Sequence, residues 1–195
     1  MLLQNVLGWM TNQELSVLNK ISKLIPDDGV IVEVGSMFGR SACVWASSKP
    51  LGKIYCIDVF DEKYDVTHNI PTEICLEHSF PLNGQNFNIL EEFQKNTKNF
   101  PNINMIRGRS PFVKYDGPPI DLFFLDASHT NPNDWENIEY FLPLIKDGGI
   151  ISGHDYIPDV FPDVVENVKR LEKMFNTEVT LYTNTSIWSF HKIKV

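Results

Sequence analysis

Short apolar runs rich in β-branched residues, each followed by a polar turn and a stretch of helical character, alternate along most of this sequence. That alternation restricts the chain to an α/β architecture, a parallel sheet with helices on both faces. The strand-like runs are residues 30–34, 54–57, 103–106, 120–125, 149–152, 178–182 and 187–191, and the helical stretches between them are 40–48, 89–99, 133–145 and 160–175. Seven strands fit a doubly wound, mostly parallel sheet. The last two runs are joined only by a short turn at Thr183-Asn184-Thr185, so the final strand is expected to be antiparallel, in a hairpin at one edge. Ahead of the first strand, Leu15, Leu18, Ile21 and Leu24 recur at helical spacing before Pro26-Asp27-Asp28-Gly29, which makes residues 1–28 a segment carrying a covering helix.

At 195 residues with 43% hydrophobic content, the chain reads as one domain, 1–195, around one sizeable core. A net charge of −8 and the lack of a Lys/Arg cluster exclude a phosphate-rich partner, so no nucleic acid is expected. The first ten residues mix polar groups into their apolar ones, unlike a secretory leader, and nowhere do about 18 apolar residues run together. A soluble, cytoplasmic protein without a membrane partner is the expectation. Cys43, Cys56 and Cys75 lack metal-binding spacing and number three, which argues for neither a disulfide framework nor zinc. Residues 60–88 break the periodicity with two His, two Pro and an Asn-Gly-Gln-Asn stretch, and read as a lid over the site or a solvated loop.

Three stretches carry chemistry. In Val32-Glu33-Val34-Gly35-Ser36-Met37-Phe38-Gly39-Arg40-Ser41 a buried-type strand enters a turn with two glycines and then a helix, which exposes backbone N–H groups to an anionic ligand. Met37 stands where the dinucleotide fingerprint requires its second glycine, which weakens a nicotinamide reading; a turn whose glycines serve packing alone is the plainer alternative. Asp58 ends the second strand about twenty residues on, where a carboxylate can accept from both hydroxyls of a ribose. Asp126-Ala127-Ser128-His129 and His154-Asp155 end two further strands, and a parallel sheet delivers such ends to one edge. Two carboxylates and an imidazole suit a divalent cation such as Mg²⁺ or Mn²⁺, the imidazole favouring Mn²⁺, Fe²⁺ or Zn²⁺ over an ion of all-oxygen sites; ordinary capping acids and a satisfied histidine would be the bland reading.

These residues resemble the small class I S-adenosylmethionine (SAM)-dependent methyltransferases related to the metal-dependent sugar and macrolide O-methyltransferases, and more distantly the catechol and caffeoyl-CoA O-methyltransferases. The resemblance runs from about Val30 to Tyr156 and is carried by the turn from Glu33 to Ser41, by Arg107-Gly108-Arg109-Ser110, by Asp126 to His129, and by Gly148-Gly149 to His154-Asp155. It implies that Gly35, Ser36 and Ser41 line the methionine end of SAM, with Glu33 and Gly39 of the same turn counted as cofactor-binding. Asp58 would hold the ribose, and Gly108 with Ser110 would border the adenine. Asp126 and Asp155 would be metal ligands, Asp126 standing near the sulfonium, and His129 would be the general base. The chain departs from the pattern at His154, where those families place a carboxylate or the acid of an Asp-Asn pair. His154 is then either a third metal ligand or a substrate-orienting group in a site that works without metal.

The function that follows is methyl transfer from SAM to a hydroxyl of a small acceptor, a sugar, phenol or natural-product-like molecule. Methyl transfer is an in-line displacement, so the acceptor oxygen must be held at near-attack distance and deprotonated; a metal serves both ends, and a neutral His129 takes the proton. Two alternatives from other classes are a nicotinamide-dependent oxidoreductase and a catalytically degenerate SAM-fold binding protein. The N-terminal helix packs on its own domain or on a second copy, so a homo-oligomer is compatible with the sequence.

Overall fold

A computed structural model describes residues 6–60, 64–65 and 86–192. Strands β1 (Val30–Val34), β2 (Lys53–Asp58), β5 (Ile103–Arg107), β6 (Ile120–Leu125), β7 (Ile145–Gly153), β8 (Thr180–Leu181) and β9 (Trp188–His191) form one sheet of order β5-β2-β1-β6-β7-β9-β8. The first five in that order are parallel, and β9 runs antiparallel to both β7 and β8. The doubly wound sheet with an antiparallel last strand is therefore observed. Two short strands, β3 (Tyr64–Asp65) and β4 (Asn86–Phe87), pair antiparallel outside it. Most of the expected lid, residues 60–88, lies outside the described residues.

Residue type explains the layering. All five residues of β1 and all six of β6 are buried, as befits central strands covered on both faces. Alternate side chains feed two cores. Ile31, Ile54, Leu122, Phe124 and Ile150 pack beneath α1 (Asn12–Ser22), α2 (Arg40–Ser48) and α3 (Ile89–Thr97). Val32, Val34, Phe123, Leu125 and Ile151 pack beneath α4 (Asn133–Phe141) and α5 (Pro162–Phe175). Burying a side chain of this class contributes about 1.5–3 kcal/mol, so these two layers outweigh any single polar contact in holding the sheet.

Local signals set the ends. Thr11 starts α1 with a reciprocal capping box: its hydroxyl accepts from the Glu14 N–H while Glu14 accepts from the Thr11 N–H. Asn176 closes α5 in the left-handed conformation. Two boundaries differ from expectation by four residues, the others by one or two. The helix over 133–145 stops at Phe141, because Pro143 has no N–H to continue it, and a 3₁₀ turn at Leu142–Leu144 follows. Strand β7 starts at Ile145 rather than 149: it gains an extra pairing with Ile120 through a register shift, so Gly148-Gly149 lies inside the strand. Among the described residues no helix is long and apolar enough to cross a membrane.

Candidate active site

The carboxyl ends of β1, β2, β6 and β7 open on one cavity of about 980 Å³. Gly35, Ser36, Ser41, Asp58, Gly108, Ser110, Asp126, His129, His154 and Asp155, all expected at the site, line it together. Gly35 is where the first strand must turn. A Cβ on it would stand 1.7 Å from the Asp126 carbonyl oxygen, and its φ of +93° is a conformation L side chains rarely adopt, so only glycine fits. The backbone of the turn thereby touches the first residue of the acid cluster.

Asp58 anchors the turn from the neighbouring strand, its two carboxylate oxygens accepting from the N–H groups of Met37 (2.8 Å) and Phe60 (2.9 Å). Glu33 lies beneath the cavity rather than on its wall. It is fully buried and accepts from Ser36 Oγ (2.6 Å) and Trp45 Nε1 (3.0 Å). Burial pushes its carboxyl up to about 7 despite the hydrogen bonds from Ser36, Ser41 and Trp45. Gly39 is likewise off the wall, its α-carbon turned toward Phe93 and Thr97 of α3. Both residues shape the turn from behind. Ser110 is buried at the cavity edge with its hydroxyl lacking a hydrogen-bond partner among the described residues, which leaves a polar group there for a ligand.

The acid and imidazole groups form a compact cluster. His129 Nε2 stands 3.2 Å from Asp126 Oδ1 and 2.9 Å from Asp155 Oδ2, so one imidazole spans both carboxylates. His154 Nδ1 lies 3.2 Å from Asp155 Oδ2 and 3.8 Å from Asp126 Oδ1. Burial disfavours charge on His129, yet its hydrogen bonds to Asp126 and Asp155 prevail and raise it to about 10. The same contest, won by the Asp126 charge and the bonds to Asp155 and Glu14, raises His154. Asp155 is held well below the carboxylate range by the two histidines, against its own desolvation. The two carboxylates thus favour the protonated form of His129.

One ligand atom from each of Asp126, His154 and Asp155 lies within 4.8 Å of the others, and this O,O,N set fits a divalent cation of borderline hardness. Three features were not legible beforehand. Arg40, the first residue of α2, is buried and donates to the carbonyls of Met10 (2.9 Å) and Val6 and to Asn12 Oδ1 (3.3 Å), which straps the N-terminal segment over the cavity. Leu7, Trp9 and Met10 thus join the wall, which Ile157, Val160 and Phe161 also line. Phe161 also packs on His129, with ring centroids 4.8 Å apart. Glu14 reaches His154 from α1 at 3.0 Å.

A family model described as a methyltransferase domain matches residues 32–156. No curated protein matches the sequence significantly. Solved structures of similar fold include the O-methyltransferase NovP, with a TM-score of 0.66 and 14% identity over 93% of this chain and 80% of that one. The O-methyltransferase TomG from Streptomyces achromogenes, involved in tomaymycin synthesis and solved with SAM, gives 0.60 and 16% over 94% and 81%. A precorrin-6y C5,15-methyltransferase from Geobacter metallireducens GS-15 gives 0.63 and 17% over 94% and 92%. The family match spans the turn at Gly35, Asp58 and the whole Asp126–Asp155 cluster, and the strand order is that of a doubly wound sheet. The chain belongs to the methyltransferase-domain family and has the fold of the class I SAM-dependent methyltransferases.

Proposed function

We propose that this protein transfers the methyl group of SAM to a hydroxyl of a small-molecule acceptor, with a divalent cation, Mg²⁺ or Mn²⁺, held by Asp126, His154 and Asp155. The observation that carries this is the juxtaposition in one cavity of the glycine turn and the acid–imidazole cluster, in contact through Gly35 and Asp126. Methyl donor and acceptor oxygen would meet at that seam.

Ser36 and Ser41 line the cavity beside the glycine turn, where the methionine end of SAM would lie; Asp58 would accept from the ribose hydroxyls; and Ser110 would give the adenine a hydrogen-bonding partner. In the transfer the sulfonium S–C bond breaks as the C–O bond forms, and the hydroxyl proton passes to His129 Nε2, leaving S-adenosylhomocysteine. His129 can accept that proton only when it is neutral. Asp126, His154 and Asp155 would hold the cation, which when bound would supply the carboxylates with positive charge in place of His129 and would acidify the acceptor hydroxyl. Trp9, Ile157, Val160 and Phe161 give the cavity an apolar, partly aromatic wall, which suits an acceptor with a flat or apolar body. The family match favours this over the nicotinamide alternative.

Isothermal titration calorimetry with S-adenosylhomocysteine, with and without Mn²⁺, tests the reading. Micromolar binding, about −8 kcal/mol, is expected, together with a separate Mn²⁺ heat that Asp126→Ala removes. Absence of S-adenosylhomocysteine binding would overturn the cofactor assignment, and a Mn²⁺ heat unchanged in Asp126→Ala would overturn the metal site.

A further inference from the structure

Glu14 sits more than a hundred residues from the strand ends, yet its carboxylate is buried among them. The capping box of α1 uses one oxygen: Glu14 Oε2 accepts from the Thr11 N–H (2.8 Å) and hydroxyl (3.0 Å). The other oxygen faces the sheet. Glu14 Oε1 lies 3.0 Å from His154 Nε2 and accepts from the N–H (3.3 Å) and hydroxyl (3.2 Å) of Ser186 in the β8–β9 turn. Five donors thus surround this buried carboxylate: the Thr11 N–H and hydroxyl, the Ser186 N–H and hydroxyl, and the His154 ring. A buried anion is costly unless it is paired, and helix capping alone would be served at the surface.

An imidazole has two inequivalent nitrogens, and the partner of one decides the role of the other. A carboxylate at Nε2 requires the proton there, which leaves Nδ1 as the nitrogen with a lone pair to give. Nδ1 is the atom that faces Asp155 and Asp126. We propose that Glu14 is a positioning residue for the cation site: by binding His154 Nε2 it fixes the ring and tautomer that present Nδ1 as a nitrogen donor beside Asp126 and Asp155. The N-terminal helix thereby becomes part of the metal centre's outer shell, and the site takes a cation that accepts imidazole, such as Mn²⁺, over Mg²⁺. This rests on the metal-assisted reading above.

The test is a Mn²⁺ titration followed by electron paramagnetic resonance on the full chain, as a double-mutant cycle between Glu14→Ala and His154→Ala, with Glu14→Gln run in parallel because it keeps the side-chain volume. The wild type is expected to bind Mn²⁺ more tightly than Mg²⁺ and to show nitrogen modulation from a coordinated imidazole in the echo-envelope experiment. Glu14→Ala should weaken Mn²⁺ binding about 10–100-fold and diminish that modulation, while adding less than about twofold in the His154→Ala background. A wild type that binds no Mn²⁺ would sink the metal reading itself. If the wild type binds and both Glu14 variants match it in affinity and nitrogen signal, the metal reading stands and the role of Glu14 is overturned; an equal loss in the His154→Ala background would also overturn it, since Glu14 would then act through the fold and not through His154.

Discussion

Replacing Glu33 by Gln should reverse a pH dependence that the fold builds in. Glu33 is fully buried under the glycine turn, and its carboxyl moves from 4.5 to about 7 on folding because desolvation outweighs three hydrogen-bond donors. Between those values the folded protein holds a proton on Glu33 that the unfolded chain has released, so the contribution of Glu33 to stability falls as pH rises through that window and levels off above it. The displacement corresponds to about 3 kcal/mol, at about 1.4 kcal/mol for each pH unit. Glu33→Gln removes the titration while keeping the shape. The variant should therefore gain about 3 kcal/mol relative to wild type between pH 4.5 and pH 8, which for a domain of this size is about 6–12 °C in melting temperature. Urea unfolding followed by tryptophan fluorescence at several pH values measures the difference directly. A gap between the two proteins that stays constant from pH 4.5 to pH 8 would refute the argument, because it would mean that Glu33 ionises in the fold as easily as in the unfolded chain.

Two other perturbations have equally definite outcomes. Gly35→Ala places a methyl 1.7 Å from the Asp126 carbonyl oxygen at a positive φ, and should cost at least about 3 kcal/mol and abolish S-adenosylhomocysteine binding in calorimetry; near-normal melting and binding would show that the turn and the cluster are not in contact. Arg40→Met removes the strap on Val6, Met10 and Asn12, worth about 2–4 kcal/mol locally, and should speed amide exchange across residues 6–12 at least tenfold while leaving β1 and β6 unchanged; unchanged exchange in that segment would show that apolar packing alone holds it.

The sequence announced those parts of the molecule whose cause is local. Short, mostly apolar runs between polar turns read as strands covered on both faces, and residues 30–34 and 120–125 form β1 and β6 with those bounds. A strand-turn-helix with glycine at its start placed Gly35, Ser36 and Ser41 on the cavity, because only glycine can make that turn. The strand-end acids and histidines converge because parallel strands share a carboxyl edge. What stayed hidden depends on partners distant in sequence. Glu14 already has a sufficient explanation in the capping box, and its second oxygen's attachment to His154, 140 residues away, leaves no trace in periodicity. Arg40 reads as an ordinary helix-start residue until the chain ahead of α1 folds back over it. Glu33 looks like a site residue because its neighbours are, and only burial separates a wall from a foundation.

The contact between Gly35 and the Asp126 backbone has an implication for how such a protein can be modified. Because main chain touches main chain at that seam, the distance from the cofactor turn to the acid cluster is a property of two adjacent strands, with no side chain free to lengthen or shorten it. On the proposed function, donor and acceptor halves would be geared together, and a change of acceptor would not come from remodelling the sheet edge. On that reading, redesign of acceptor choice would belong to the other residues of the cavity wall, Leu7 to Met10 and Ile157, Val160 and Phe161, which can be exchanged while the gearing of the two strands stays fixed.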